Sequence, residues 1–237
     1  MIKKIKLPDV TLLAASSVEI DHTQDSLKIS AYEIEFAAIK LMCSVRPKIH
    51  FPEIQYIEIP KIEKIDDYNK IMINDLWKYF DTSHCLIVQS DSFVVNPNEW
   101  TNEFLKYDYI GAPWTKKIKP KEDLEIDLKK NRVGNGGFSL RSNKLARLTK
   151  EIDYFNLNFP SSTEDILICH YLYDDLIKKD IKFAPIEIAS KFSLEHPETN
   201  KEFGNNNENV FGFHGKHLRR YFKDRFNKNR KIMYEKN

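Results

Sequence analysis

The sequence predicts an α/β protein built on a mixed, mostly parallel sheet flanked by helices, in one domain spanning residues 1–237. Two continuous apolar runs, at residues 10–15 and 85–88, have the character of strands covered on both faces. Amphipathic helical patterns alternate with them along the chain, which is the order expected of a parallel sheet. With 237 residues, 41% of them hydrophobic, the chain is long enough to bury a sizeable core, and no internal repeat divides it.

Residues 10–15 read as the first strand, ending in small side chains. Leu27, Ala31, Ile34, Ala38 and Leu41 recur at spacings of four and three, which predicts one helical stripe. Residues 49–51 and 56–59 are short strand candidates, each bounded by proline. Tyr68, Ile71, Met72, Leu76, Tyr79 and Phe80 predict a second amphipathic helix, followed by the strand at 85–88. Asn96, Pro97 and Glu99 together form a helix-start signal, with Trp100, Phe104 and Leu105 on the helix that follows. Residues 115–132 hold seven basic and four acidic residues among eighteen and predict a solvated loop able to close over a site. Residues 133–140 return to strand character, 166–177 are helical, 183–189 extended, and 202–209 a polar loop.

Bulk properties exclude several function classes. A formal net charge of +2 gives no reason to expect nucleic acid as the partner. Cys43, Cys85 and Cys169 stand far apart without a paired framework, as buried thiols of a reducing, cytoplasmic setting would. Residues 1–16 loosely imitate a secretory leader, but Pro8-Asp9 interrupts the apolar approach, and a first buried strand explains them better. No apolar run approaches the ~20 residues that span a bilayer.

Four segments carry candidate chemistry. Gln89-Ser90-Asp91 follows a buried strand, where open parallel sheets bind ligands. Asp91 there reads either as a ligand of a divalent cation that neutralises a sugar-nucleotide diphosphate or as a turn residue. Gly134, Gly136 and Gly137 inside a strand pattern indicate a bulge or a close ligand approach, and Gly136-Gly137 would admit a sugar against the backbone. Ser161 and Glu164 match a capping box, leaving Asp165 available as a general base, although an acidic first turn is also ordinary helix chemistry. His214, between glycines in Phe211-Gly-Phe-His-Gly215, suits manganese coordination, and Lys216 follows where a pyrophosphate could be gripped.

Taken together, Gln89-Ser-Asp91, Asp108-Tyr-Ile-Gly-Ala-Pro-Trp114, Gly134-Asn-Gly-Gly-Phe-Ser-Leu-Arg141 and Phe211-Gly-Phe-His-Gly215 resemble the GT-A superfamily of nucleotide-sugar glycosyltransferases. They are most similar to a bacterial and viral glycosyltransferase-like family that shares all four motifs, over roughly residues 7 to 215. The resemblance implies a GT-A-like, Rossmann-like fold and hexosyl or N-acetylhexosaminyl transfer from a nucleotide sugar, with UDP favoured. The acceptor would be a glycan, a lipid-linked glycan or a protein hydroxyl. It also implies Mn2+ or Mg2+ held by Asp91 and His214, and a base supplied by Asp165 of the Glu164-Asp165 pair. Tyr68 and Lys70 would contact the donor, as would Gln89, Ser90, Gly136, Gly137 and Lys216. Ala15 and Ser16 would lie near the nucleobase, and Trp114 near the acceptor. Gln89 stands where the superfamily's first D-x-D acid would be, which removes a charge from the metal site. The acidic pair favours inversion of the sugar centre, whereas the Tyr68–Lys70 arrangement is similar to that of retaining enzymes.

Two other readings stay open: a nucleotidyltransferase, against which the glycine-free Ala14-Ala-Ser-Ser-Val-Glu-Ile20 counts, and a non-catalytic sugar-nucleotide binder. From residue 216 to 237 nine lysines and arginines face only Asp224 and Glu235, with Leu218, Tyr221, Phe222 and Phe226 on one helical stripe. That tail reads as a basic helix docked on the core or as a peripheral contact for anionic lipid.

Overall fold

The structure, a computed structural model, describes residues 4–115, 129–157, 159, 161, 163–204 and 209–222. Along the described chain run β1 (Ile5–Ser16), α1 (Ile20–Ser30), β2 (Ile34–Cys43), β3 (Ile54–Glu58), α2 (Ile65–Lys70) and β4 (His84–Val88). β5 (Ser92–Val94), β6 (Tyr109–Ile110), β7 (Phe138–Ser142), α3 (Asn143–Thr149), α4 (Glu164–Ile166) and α5 (Tyr173–Lys178) follow. The last elements are α6 (Ile186–Phe192), β8 (Ser193–Leu194), α7 (Pro197–Glu202), β9 (Gly212–His214) and α8 (Lys216–Tyr221).

β1 lies inside a six-stranded sheet of order β3-β2-β1-β4-β7-β6. It pairs in parallel with β2 and β4, and β2 pairs in parallel with β3, so these strands end at one edge of the sheet. β7 runs antiparallel to both β4 and β6. The fold is therefore the expected mixed, mostly parallel α/β sheet flanked by helices. Strand β1 explains why it needs cover on both faces. Leu12 and Ala14 join one apolar cluster with Leu27, Leu86 and Phe138, while Leu13 and Ala15 join another with Tyr68, Met72 and Ile87. A smaller sheet, β5-β9-β8, packs Phe93 and Phe213 against Leu218.

Several local expectations give way. Residues 34–43 form β2 and not a helix. The spacing from Leu27 to Leu41 crosses the end of α1, and Ile34, Glu35, Phe36 and Ala37 alternate buried and exposed as a strand does. Residues 49–51 are not a strand. The expected helix after Asn96 is two short 3-10 turns, Pro97–Glu99 and Asn102–Lys106. The Asn96 amide donates to Val210 O at 2.9 Å and makes no side-chain cap, while Trp100 meets Phe211 edge-on and Phe104 packs against it at a tilt. The segment expected to be extended at 183–189 turns helical at Ile186, after the Tyr109–Phe183 bridge. The helices expected over 68–80 and 166–177 are present but interrupted: α2 passes through a π-helical stretch, Ile71–Asp75, into a 3-10 turn at Leu76–Lys78, and the second breaks at Leu172, between the π-helical Leu167–Tyr171 and α5.

Candidate functional site

The parallel strands β1 and β4 deliver Ala15-Ser16 and Gln89-Ser90 to the same sheet edge. Beyond it lies a cleft of about 520 Å³ whose walls include Ala15, Ser16, Glu19, Lys64, Tyr68, Gln89, Ser90 and Lys216. The turn at Gln89-Ser-Asp91 is held from within. The Ser92 hydroxyl accepts from Gln89 N at 2.7 Å and donates to Gly137 O at 2.7 Å, which ties the turn to the glycine strand. The Gln89 amide donates to the Tyr68 hydroxyl at 2.8 Å. Ser90 is fixed as well, through its hydroxyl to Glu19 and its carbonyl to Arg219 Nη1 at 2.7 Å.

Strand β9 carries His214 to this turn, because Ser92 pairs with His214 in the antiparallel β5–β9 ladder. His214 Nε2 lies 3.5 Å from Asp91 Oδ1 and 3.2 Å from Gln89 Oε1, and Nδ1 lies 3.2 Å from Glu195 Oε1. Nε2 thus faces two oxygen acceptors, so a proton or a cation must sit between them. Burial pulls the His214 pKa down, but Glu195 above all, with Asp91 and Asp165, holds it above the ordinary histidine value. A hard cation with ligand bonds of about 2.1 Å would separate two adjacent ligand atoms by about 3.0–3.4 Å. The Gln89–His214 spacing of 3.2 Å falls in that range, the Asp91–His214 spacing of 3.5 Å lies just beyond it, and a nitrogen–oxygen donor set suits manganese or magnesium. Among the described residues no group of three or more His, Cys, Asp or Glu side chains is arranged to hold a metal. Asp91 and His214 would therefore need further oxygens from Gln89, a diphosphate or water.

The glycine strand is shaped by side chains and not by open space. A Cβ on Gly137 would lie 2.2 Å from His214 Cδ2 and Nε2, and one on Gly136 would lie 1.7 Å from Glu164 Oε1. These positions are taken by the imidazole and a carboxylate, so what closes on Gly136 and Gly137 from the Cβ side is the protein's own side chains. Glu164 has no part in a capping box either: its carboxylate takes both oxygens to Arg141 Nη2 at 2.9 Å, deep in the core. Ser161 instead contacts Thr163, the residue before α4.

Asp165 is anchored beside the glycine strand. Its carboxylate accepts from Asn135 N at 3.0 Å, and Asn135 adopts a left-handed φ of 66° that aims this N–H. Burial first, then the charges of Glu164 and Glu195, push the Asp165 pKa up to about 7.

Of the expected donor contacts, Ala15, Ser16, Tyr68, Gln89, Ser90 and Lys216 line the cleft, and Lys216 approaches Glu19 across 3.6 Å. Lys70 is exposed and does not line it. Trp114 is not available to an acceptor. It is only 3% exposed, and its ring fills the space that a Cβ on Gly134 would need. The expected closing loop falls largely on residues 116–128, outside the described residues. So does the tail beyond 222. Up to that point the docked-helix reading holds, with Leu218 buried and Phe222 against Phe213 at 4.9 Å. Glu195 and the Arg141–Glu164 pair escaped sequence reasoning. Arg141 belongs to a noted motif, but nothing in sequence links it to Glu164, and Glu195 sits in no motif at all.

No described helix is long and apolar enough to cross a membrane. No curated protein matches the chain in sequence. Among solved structures it is similar to the apo glycosyltransferase GlyE of Streptococcus pneumoniae TIGR4, with TM-score 0.48 and 13% identity over 87% of this chain and 54% of that one. The chain thus spans about half the length of that enzyme. A glycosyltransferase involved in glycosylation of the PBCV-1 major capsid gives TM-score 0.45 and 13% identity, over 86% of this chain and 91% of that one. The bifunctional IspDF of Campylobacter jejuni gives TM-score 0.45 and 13% identity, over 74% of this chain and 48% of that one. Residues 52–214 match the family described as "Protein of unknown function (DUF5672)", and the chain belongs to that family.

Proposed function

We propose that this protein is a glycosyltransferase that moves a sugar from a nucleotide donor, UDP-linked by preference, to an acceptor hydroxyl with inversion. One observation carries the reading: a cleft at the carboxyl edge of β1 and β4 meets, through Gln89, the Asp91–His214 pair. A carboxylate with a pKa near neutrality belongs to the same electrostatic cluster. Strand-end clefts of this kind bind nucleotides.

The cleft residues Ala15 and Ser16 would receive the nucleoside, with Lys216 beside the diphosphate. Asp91 and His214 would hold a divalent cation, which when bound neutralises the departing diphosphate. Asp165 would take the proton of the acceptor hydroxyl as it attacks the anomeric carbon. The raised pKa suits that task, since a base poised near the working pH both accepts and releases its proton. Tyr68 orients Gln89, and Ser92 fixes the turn against the glycine strand, so the cation-facing groups are held before any ligand arrives.

Titration calorimetry with UDP tests the binding half. The wild type should bind UDP more tightly with manganese than without, and Asp91→Ala and His214→Ala should each abolish that difference while remaining folded. Equal binding with and without metal in all three proteins would remove the cation from the account.

A further inference from the structure

Glu195 has no place in the reading above, yet it is the nearest charged partner of the residue that reading depends on. It directly follows β8, whose parallel pairing matches Leu194 with Phe213, and so comes alongside His214. Its Oε1 meets His214 Nδ1 at 3.2 Å, while the other ring nitrogen meets Gln89 and Asp91.

The backbone around Glu195 is held on both sides. The Glu195 carbonyl pairs with His217 Nε2 at 3.0 Å, and the Asn200 amide donates to Ser190 O at 2.7 Å and Ser193 O at 3.3 Å, fixing the chain just before it. The ring has little room to turn, since its Cδ2–Nε2 edge packs against the Cα of Gly137.

We propose that Glu195 is the positioning residue of this site: it accepts the Nδ1 proton of His214 and thereby turns Nε2 into the site as the ligating or donating atom. A histidine that ligates through one nitrogen needs a partner at the other to set tautomer and ring angle. Without that partner nothing selects the tautomer of the neutral ring, and the form with its proton on Nε2, facing Asp91, excludes a cation. The inference rests on the transferase reading only for what Nε2 holds; the contact itself is independent of it.

The test compares Glu195→Ala with Glu195→Gln, whose side-chain oxygen still accepts the Nδ1 proton. In nitrogen-15 spectra of the metal-free protein, a slowly exchanging His214 Nδ1 proton should appear in the wild type and Glu195→Gln and vanish in Glu195→Ala. Titration of manganese in the presence of UDP should lose ~10–100-fold in affinity for Glu195→Ala and less than ~10-fold for Glu195→Gln. Wild-type affinity in Glu195→Ala, or an Nδ1 proton that persists in it, would overturn the inference. A wild type that binds no manganese with UDP would instead sink the transferase reading, because the Nδ1 signal reports on Glu195 separately.

Discussion

Adding one methyl group at residue 137 should disable the site while leaving the fold in place. A Cβ at Gly137 would lie 2.2 Å from His214 Cδ2 and Nε2, whereas carbon contacts settle at about 3.5–4.0 Å. The imidazole must therefore retreat by roughly 1.3 Å or more. Its contacts to Glu195 and Gln89, both 3.2 Å, have no such slack, and moving the ring that far takes at least one of them out of hydrogen-bonding range. Overpacking of this kind costs ~1–3 kcal/mol in stability. A misplacement of ~1 Å at reacting groups costs ~10²-fold in rate. Gly136→Ala makes the internal comparison. Its Cβ would meet Glu164 Oε1 at 1.7 Å and Arg141 Nη2 at 3.0 Å, and so strikes a buried ion pair whose disruption costs ~3–5 kcal/mol. Urea unfolding and manganese–UDP titration on both variants separate the effects. Gly137→Ala should stay folded and bind at least ~10-fold more weakly, and Gly136→Ala should lose most of its stability. A Gly137→Ala protein that binds like the wild type would refute the placement of His214 at the centre of the site.

Further outcomes follow from the acidic pair. Asp165→Asn should keep UDP binding and lose ~10²-fold or more in transfer. Wild-type transfer should rise with pH through about 7, as Asp165 gives up its proton, and the residual rate of the variant should not. The raised pKa also means that Asp165 favours the folded state most below its ordinary value near 3.8. That contribution is lost as pH rises to about 7, so urea midpoints of wild type and Asp165→Asn should diverge across that window. Glu164→Gln should unfold the protein more easily by ~3–5 kcal/mol, because it leaves the Arg141 guanidinium buried without its carboxylate. Unchanged stability in Glu164→Gln would show that the pair is dispensable.

What was legible in the sequence was whatever depended on local pattern. The apolar runs of β1 and β4 announce strands buried on both faces, and the small or polar residues that end them mark the cleft edge where Ala15, Ser16, Gln89 and Ser90 stand. The glycines signalled a close approach, but sequence cannot say what approaches, and the visitors proved to be His214 and Glu164. The helix misread between Leu27 and Leu41 came from a spacing that two different elements produced jointly. Asn96 looked like a cap until Val210, 114 residues on, claimed its amide. Trp114 stood in a specific motif, and its role there is packing against Gly134. Glu195 was out of reach for the same reason, since only the pairing of β8 with β9 brings it to a histidine 19 residues away.

The most direct measurement is release of UDP from a panel of UDP-sugars by the full chain, with and without manganese, followed in wild type, Asp91→Ala and Asp165→Asn. The account predicts manganese-dependent release from at least one sugar nucleotide, lost in Asp91→Ala and cut ~10²-fold when an acceptor is supplied to Asp165→Asn. Binding of UDP without release from any donor, or release at the same rate in all three proteins, would contradict it.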